Sequence, residues 1–191
     1  MNNIIDIFKV GVYKTNIIDK NIEKYLYGVL KDTSSFVFKS NKGGLQTKPI
    51  LDINEEINKK LFITPAINFC KQMGLSKNIK IQTESFWINV NKKGSYNSLH
   101  NHLPNSISGV YYLNVPKNSG RLVFCNKFDY KKDASFFCDT DISSYYKTHY
   151  YITPQKDDLF LFQSDLNHFV EPNHSNKQRI SISFNINVFD N

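Results

Sequence analysis

Five histidines stand in this 191-residue sequence: His100, His102, His149, His168 and His174. His100 and His102 are separated by one residue in YNSLHNHLPNS, where an extended stretch gives way to a turn. Side chains i and i+2 of an extended chain point the same way, so both imidazoles can face one metal ion. His168 follows 66 residues after His102, inside SDLNHFVEPN, at the start of a predicted strand. Arg179 opens the terminal run RISIS eleven residues beyond it. Arginine is a pointed choice in this chain: of 24 basic residues only Arg121 and Arg179 are arginines. A chain that carries its positive charge on lysine can keep arginine for places that need a planar, two-pronged donor. His149 and His174 have no such company and read as ordinary surface or core histidines. Cys125 reads as a small packed hydrophobe, and Arg121, at a hairpin tip, as surface.

The elements that must position these residues are mostly strands. From residue 78 onward short alternating runs are predicted at 80–91, 107–115, 120–126, 150–153, 158–163, 168–171 and 179–189. Lys93-Gly94, Leu103-Pro104-Asn105, Lys117 to Gly120, Pro154-Gln155 and Pro172-Asn173 punctuate them as turns. Many short strands with such breaks predict a mainly β fold, a jelly-roll barrel. The first 77 residues read as a support region packed outside that core, with a strand over 6–13 and a helix over 21–30. A second helix begins within 52–60, capped by Asn54 or Asp52, and Thr64-Pro65 reads as a turn that opens a segment ending at Gly74. Residues 1–191 are thus expected to form one domain, with 78–191 as its core. Residues 129–149, a polar stretch with weak strand signals, read as an insertion bordering the substrate entrance.

Composition sets the outer bounds. Hydrophobic residues make up 40% and aromatics 14%, which excludes wholesale disorder. No apolar run is long enough for a membrane span, and MNNIIDIFKV lacks the basic start and cleavage site of a secretory signal. Three cysteines without paired spacing fit reduced thiols and a cytoplasmic setting (host cytoplasm if the chain is phage-encoded). The net charge of +7 comes from lysines scattered singly and in pairs, so it does not by itself point to nucleic acid.

The ordered set of His100-Asn101-His102, SGVYYLNVPKNSGRLVF, QKDDLFLFQSDLNHFVEPN and Arg179-Ile180-Ser181 resembles the Fe(II)- and 2-oxoglutarate-dependent dioxygenases over residues 87–191. It looks closest to the bacterial and phage branch near the prolyl hydroxylase-like enzymes. The resemblance implies a double-stranded β-helix, Fe(II) as the metal, and 2-oxoglutarate and O2 as cosubstrates, with ascorbate as a candidate reductant. It implies hydroxylation of an unactivated C–H, with release of succinate and CO2. His100, His102 and His168 would hold the iron, and Arg179 would grip the distal carboxylate of 2-oxoglutarate. Tyr112, the second Tyr of YYLN, resembles the family's phenol donor to the same carboxylate. Ser181 shares a strand face with Arg179 and adds a hydroxyl. Asn89, in FWINV, is expected to face the pocket. The primary substrate stays open among peptide side chains, amino acids, small metabolites and nucleobases.

The sequence departs from the family at His102, where a carboxylate is usual. Imidazole suits Fe(II), and His102 is read as the third ligand. Asp165 or Asp129 completing the face, or a water in that position, are the alternatives. Trp87, Phe160, Phe162 and Phe184 read as core or pocket wall. The rival reading from another class is a cupin-like metal-binding module without oxygenase activity, which has no use for Arg179.

Overall fold

The computed structural model of the chain describes residues 9–75, 78–127 and 147–190. Its elements run β1 (Tyr13–Asn16), α1 (Lys20–Asp32), β2 (Asn41–Lys42), β3 (Leu45–Gln46) and α2 (Glu55–Ile57), then a π-helical turn (Asn58–Ile63) and α3 (Thr64–Gln72). The strands β4 (Ile79–Asn91), β5 (Tyr96–His100), β6 (Ile107–Asn114), β7 (Leu122–Cys125), β8 (His149–Ile152), β9 (Asp158–Gln163), β10 (His168–Val170) and β11 (Arg179–Asp190) complete it. They form a six-stranded sheet, β1-β9-β6-β11-β4-β3, and a five-stranded sheet, β2-β5-β10-β7-β8. Neighbours pair antiparallel throughout. This is the expected jelly roll.

Alternation along the strands sorts side chains to the two faces of the larger sheet. Phe86, Ile88 and Val90 on β4, Tyr111 and Leu113 on β6, Leu159 and Leu161 on β9, and Ile180, Ile182 and Phe184 on β11 join one apolar cluster with α1, α3 and the π turn. Their neighbours face the other way. Val110 and Tyr112, with Phe160 and Phe162, meet Leu122 and Phe124 of the smaller sheet and Leu166 in a second cluster. Arg179, Ser181, Asn89 and Asn91 are buried and alternate with the first set, which places them on this inner face. The molecule thus has an apolar layer under the helices and a mixed, partly polar layer between the sheets.

The N-terminal third differs from its expected form in three places. The first strand is Tyr13–Asn16, paired with β9, not 6–13. Tyr13 anchors it by packing on Phe69, ring centroids 6.3 Å apart, while positions 6–8 lie outside the described residues. Thr64-Pro65 does not break the helix. Proline cannot give the usual i→i−4 bond, and the chain winds a wider turn just ahead of it, with Thr64 N–H reaching Lys59 O, so one continuous helical stretch runs from Glu55 to Gln72. Asn54 caps its start through Ile57 N–H, at 3.1 Å. It ends as expected at Gly74, φ +74°, where Leu75 N–H bonds Cys70 O at 3.0 Å and Gly74 N–H bonds Lys71 O at 3.1 Å. Finally, β2 and β3, absent from the sequence reading, follow one another across Gly43-Gly44 but join different sheets: β2 extends β5, and β3 extends β4.

Candidate active site

Strand β5 carries His100 at its end, and β10 carries His168 at its start; the two are direct cross-strand partners. Ring centroids stand 4.4 Å apart for His100–His168, 4.9 Å for His100–His102 and 5.1 Å for His102–His168. One ring nitrogen from each lies within 4.8 Å of the others, and this is the only such His, Cys, Asp or Glu group among the described residues. His100 donates Nδ1–H to Ser98 O at 2.7 Å, and His168 donates Nδ1–H to Leu166 O at 2.8 Å. Those bonds fix each tautomer and leave each Nε2 lone pair free for a metal. Burial pushes the His102 imidazolium down to about 3 and that of His168 to about 4, with repulsion among the rings adding to the effect, and burial lowers His100 as well. Neutral imidazole is the ligating form.

The His102 loop is held from below. Its N–H bonds Ser164 O at 2.8 Å, and its carbonyl accepts Asn105 N–H at 3.1 Å and Asn105 Nδ2–H at 2.8 Å. Asn101 Nδ2–H bonds Asn167 Oδ1 at 3.0 Å. Both ligand-bearing loops are therefore tied to each other across the Ser164–Asn167 turn. Trp87 walls the site, 5.6 Å from the His102 ring, and Phe162 stands edge-on to His168 at 4.7 Å. Asp165 stands apart from the histidine cluster and pairs with Lys127. Asp129 lies outside the described residues, as does most of the 129–149 insertion. His149 and His174 fall outside the cluster, as expected.

Arg179 is 1% exposed, among the most buried large side chains. Its Nη1–H groups go to the carbonyls of Ser119 and Glu171, the latter at 3.2 Å, while Nη2 has no partner. Tyr112, also 1% exposed, likewise has an unpartnered hydroxyl. Burial pushes this phenol up to about 12, so it stays protonated and able to donate. Ser181 is the cross-strand partner of both Tyr112 and Asn89. A buried guanidinium and phenol with free donors beside a metal-sized cluster of imidazoles suit one small carboxylate. Asn89 reaches the inner face as predicted, but its amide is already engaged: Nδ2–H bonds Ser183 Oγ at 3.1 Å and Oδ1 accepts from Asn41 at 3.4 Å.

Sequence reasoning missed the surroundings of Arg179. Gly120, φ +90°, sits so close to this assembly that a Cβ would come within 2.4 Å of Glu171 O and 2.9 Å of Arg179 Nη1. Arg121, read as plain surface, forks onto the Glu171 carboxylate at 2.6 and 2.7 Å. The scarcity of arginine was the one available signal for it.

Solved structures of similar fold include a 2OG-Fe(II) oxygenase-family oxidoreductase from Burkholderia pseudomallei, 12% identical over 93% of this chain and 84% of that one, TM-score 0.65. A Pseudomonas putida prolyl-4-hydroxylase is 14% identical over 93% and 92%, TM-score 0.61. The viral collagen prolyl hydroxylase of Paramecium bursaria Chlorella virus-1, solved with 2OG, is 15% identical over 92% and 94%, TM-score 0.59. No curated protein sequence matches. The family model for 2OG-Fe(II) oxygenase matches residues 85–185, more than half the chain, spanning the three histidines, Tyr112, Arg179 and Ser181. By that match this chain belongs to the 2OG-Fe(II) oxygenase family, enzymes that depend on 2-oxoglutarate.

Proposed function

We propose that this chain, acting as one catalytic domain, is an Fe(II)- and 2-oxoglutarate-dependent hydroxylase acting on a peptide side chain or a small metabolite. The observation that carries the reading is the pairing of two features on one inner face. Three imidazole nitrogens lie within 4.8 Å of one another, and the buried Arg179 Nη2 and Tyr112 hydroxyl are left without protein partners. His100, His102 and His168 would hold Fe(II) through three neutral nitrogens, which suits a facial site with three open positions. Arg179 and Tyr112 would hold the distal carboxylate of 2-oxoglutarate, with Ser181 beside them. When bound, Fe(II) and 2-oxoglutarate supply oxidative chemistry with O2, in which a substrate C–H becomes C–OH and 2-oxoglutarate becomes succinate and CO2.

The chain's own residues do the positioning. The Ser98 and Leu166 carbonyls keep two ligand rings oriented. Phe124, Phe160, Phe162 and Leu166 line the space between the sheets and keep it dry. The Tyr112 hydroxyl holds its proton as a hydrogen-bond donor and does not transfer it. A three-imidazole face carries one negative charge fewer than a site with a carboxylate, so binding depends more heavily on the dianionic cosubstrate and its arginine.

The test is anaerobic metal loading followed by turnover. One Fe(II) per chain is expected, with succinate formed from 2-oxoglutarate only when both iron and O2 are present. Iron bound elsewhere, with loading untouched by His168→Ala, would contradict the reading.

A further inference from the structure

The chain's two arginines converge on one residue. Arg179 donates Nη1–H to the main-chain carbonyl of Glu171 at 3.2 Å. Arg121 grips the same residue's side chain, Nε–H to Oε2 at 2.7 Å and Nη2–H to Oε1 at 2.6 Å. The Arg121 N–H adds a third bond to Oε2 at 3.0 Å, and Glu171 N–H returns one to Arg121 O at 3.0 Å. The guanidinium of Arg121 also lies 4.2 Å from the centre of the Tyr151 ring. Glu171 is thus held by its backbone and by both carboxylate oxygens.

The residues around this clasp form the socket of Arg179. Ser119 O is the second acceptor for Nη1, and Gly120 leaves no room for any side chain between Glu171 O and the guanidinium. With Nη1 fixed by two carbonyls, the direction of Nη2 is set. Glu171 also follows directly on β10, three positions after His168. A three-residue strand therefore joins a candidate iron ligand to the carbonyl that orients the carboxylate anchor.

We propose that Arg121 and Glu171 are positioning residues for cosubstrate binding: the pair locks the Glu171 carbonyl so that Arg179 presents Nη2 to the distal carboxylate of 2-oxoglutarate. The proposal rests on the reading of Arg179 as that anchor. A lysine at 121 would keep the charge but not the fork, which gives the chain's other arginine its reason.

The experiment compares two 2-oxo acids on the Fe(II)-loaded protein without O2, following the visible charge-transfer band of the chelate. 2-Oxoglutarate uses Arg179; pyruvate chelates the metal through the same 2-oxo acid group but has no distal carboxylate. Arg121→Ala and Glu171→Ala should each weaken 2-oxoglutarate binding on the order of tenfold, as loss of a group that orients a ligand does. Pyruvate binding and iron loading should not change. The double variant should be no worse than either single one, since both remove the same clasp. If Glu171→Ala does not fold, Glu171→Gln should give a smaller loss of the same pattern. Unchanged 2-oxoglutarate affinity, equal loss for both acids, or additive effects would overturn the proposal. A parent protein that loads iron and binds pyruvate, but binds 2-oxoglutarate no more tightly, would overturn the Arg179 reading and this proposal with it.

Discussion

At the scale of single residues, the site depends on which polar atoms are satisfied and which are left free. His100 and His168 spend one nitrogen on a carbonyl and keep the other. Arg179 spends Nη1 and keeps Nη2. His102→Ala is therefore expected to lose Fe(II), read as metal per chain and as a change in the emission of Trp87, the sole tryptophan, 5.6 Å from the His102 ring. Full occupancy in that variant would move the third position to a carboxylate or water. Arg179→Met should retain iron but lose 2-oxoglutarate affinity by about 100-fold, the scale for removing one partner of a buried charged pair. Both residues stood out in the sequence: Arg179 is one of only two arginines, and His102 stands two positions from His100, the spacing that puts both side chains on one strand face. Asn89 was legible only as inward-facing. Nothing in FWINV says that its amide also bonds Asn41 and Ser183, since Asn41 lies on β2, whose pairing with β5 is non-local.

At the scale of elements, two glycines mark where backbone and side chain approach closely. On β6, a Cβ at Gly109 would fall 2.1 Å from the Phe184 ring. Gly109→Ala should destabilise by about 1–3 kcal/mol, as overpacking does, measured as a lower denaturant midpoint with an unchanged slope. Gly120→Ala, at the socket of Arg179, should instead weaken 2-oxoglutarate binding while leaving iron loading near normal, measured by parallel titrations. Equal loss of both ligands would show that the β6–β7 connection supports the whole site and not the anchor alone. The long strands β4, β6, β9 and β11 were legible as apolar or alternating runs between turn residues, whereas β5, five residues that end at His100, was read only as an extended stretch. The continuous helix through Pro65 was not, because a π turn has no composition of its own and proline normally reads as a start or a stop. Strands β2 and β3 were not, because two residues each carry no period.

At the scale of the whole molecule, two layers divide the labour. The larger apolar cluster under the helices holds the opposite face of the six-stranded sheet and stabilises the fold. The inner layer holds Arg179, His168, Asn89, Asn91 and Ser181, all buried and polar, among a smaller set of aromatics. Ligands that fill this layer should stabilise the chain through linkage. Fe(II) at about 100 times its dissociation constant should add ~2.7 kcal/mol, raising the thermal midpoint by roughly 5–10 °C for a chain of this size, and 2-oxoglutarate should raise it further. A chelator should reverse the shift, and an unchanged midpoint on saturation would contradict binding at this site. Among the described residues no helix is long and apolar enough to cross a membrane.

The most direct measurement is a titration of the Fe(II)-loaded protein with 2-oxoglutarate under strict exclusion of O2. A weak visible band should grow and saturate at one 2-oxoglutarate per chain, and it should need a far higher concentration in Arg179→Met. Full iron loading with no band at any concentration would mean that the three imidazoles and the buried arginine do not serve one cosubstrate.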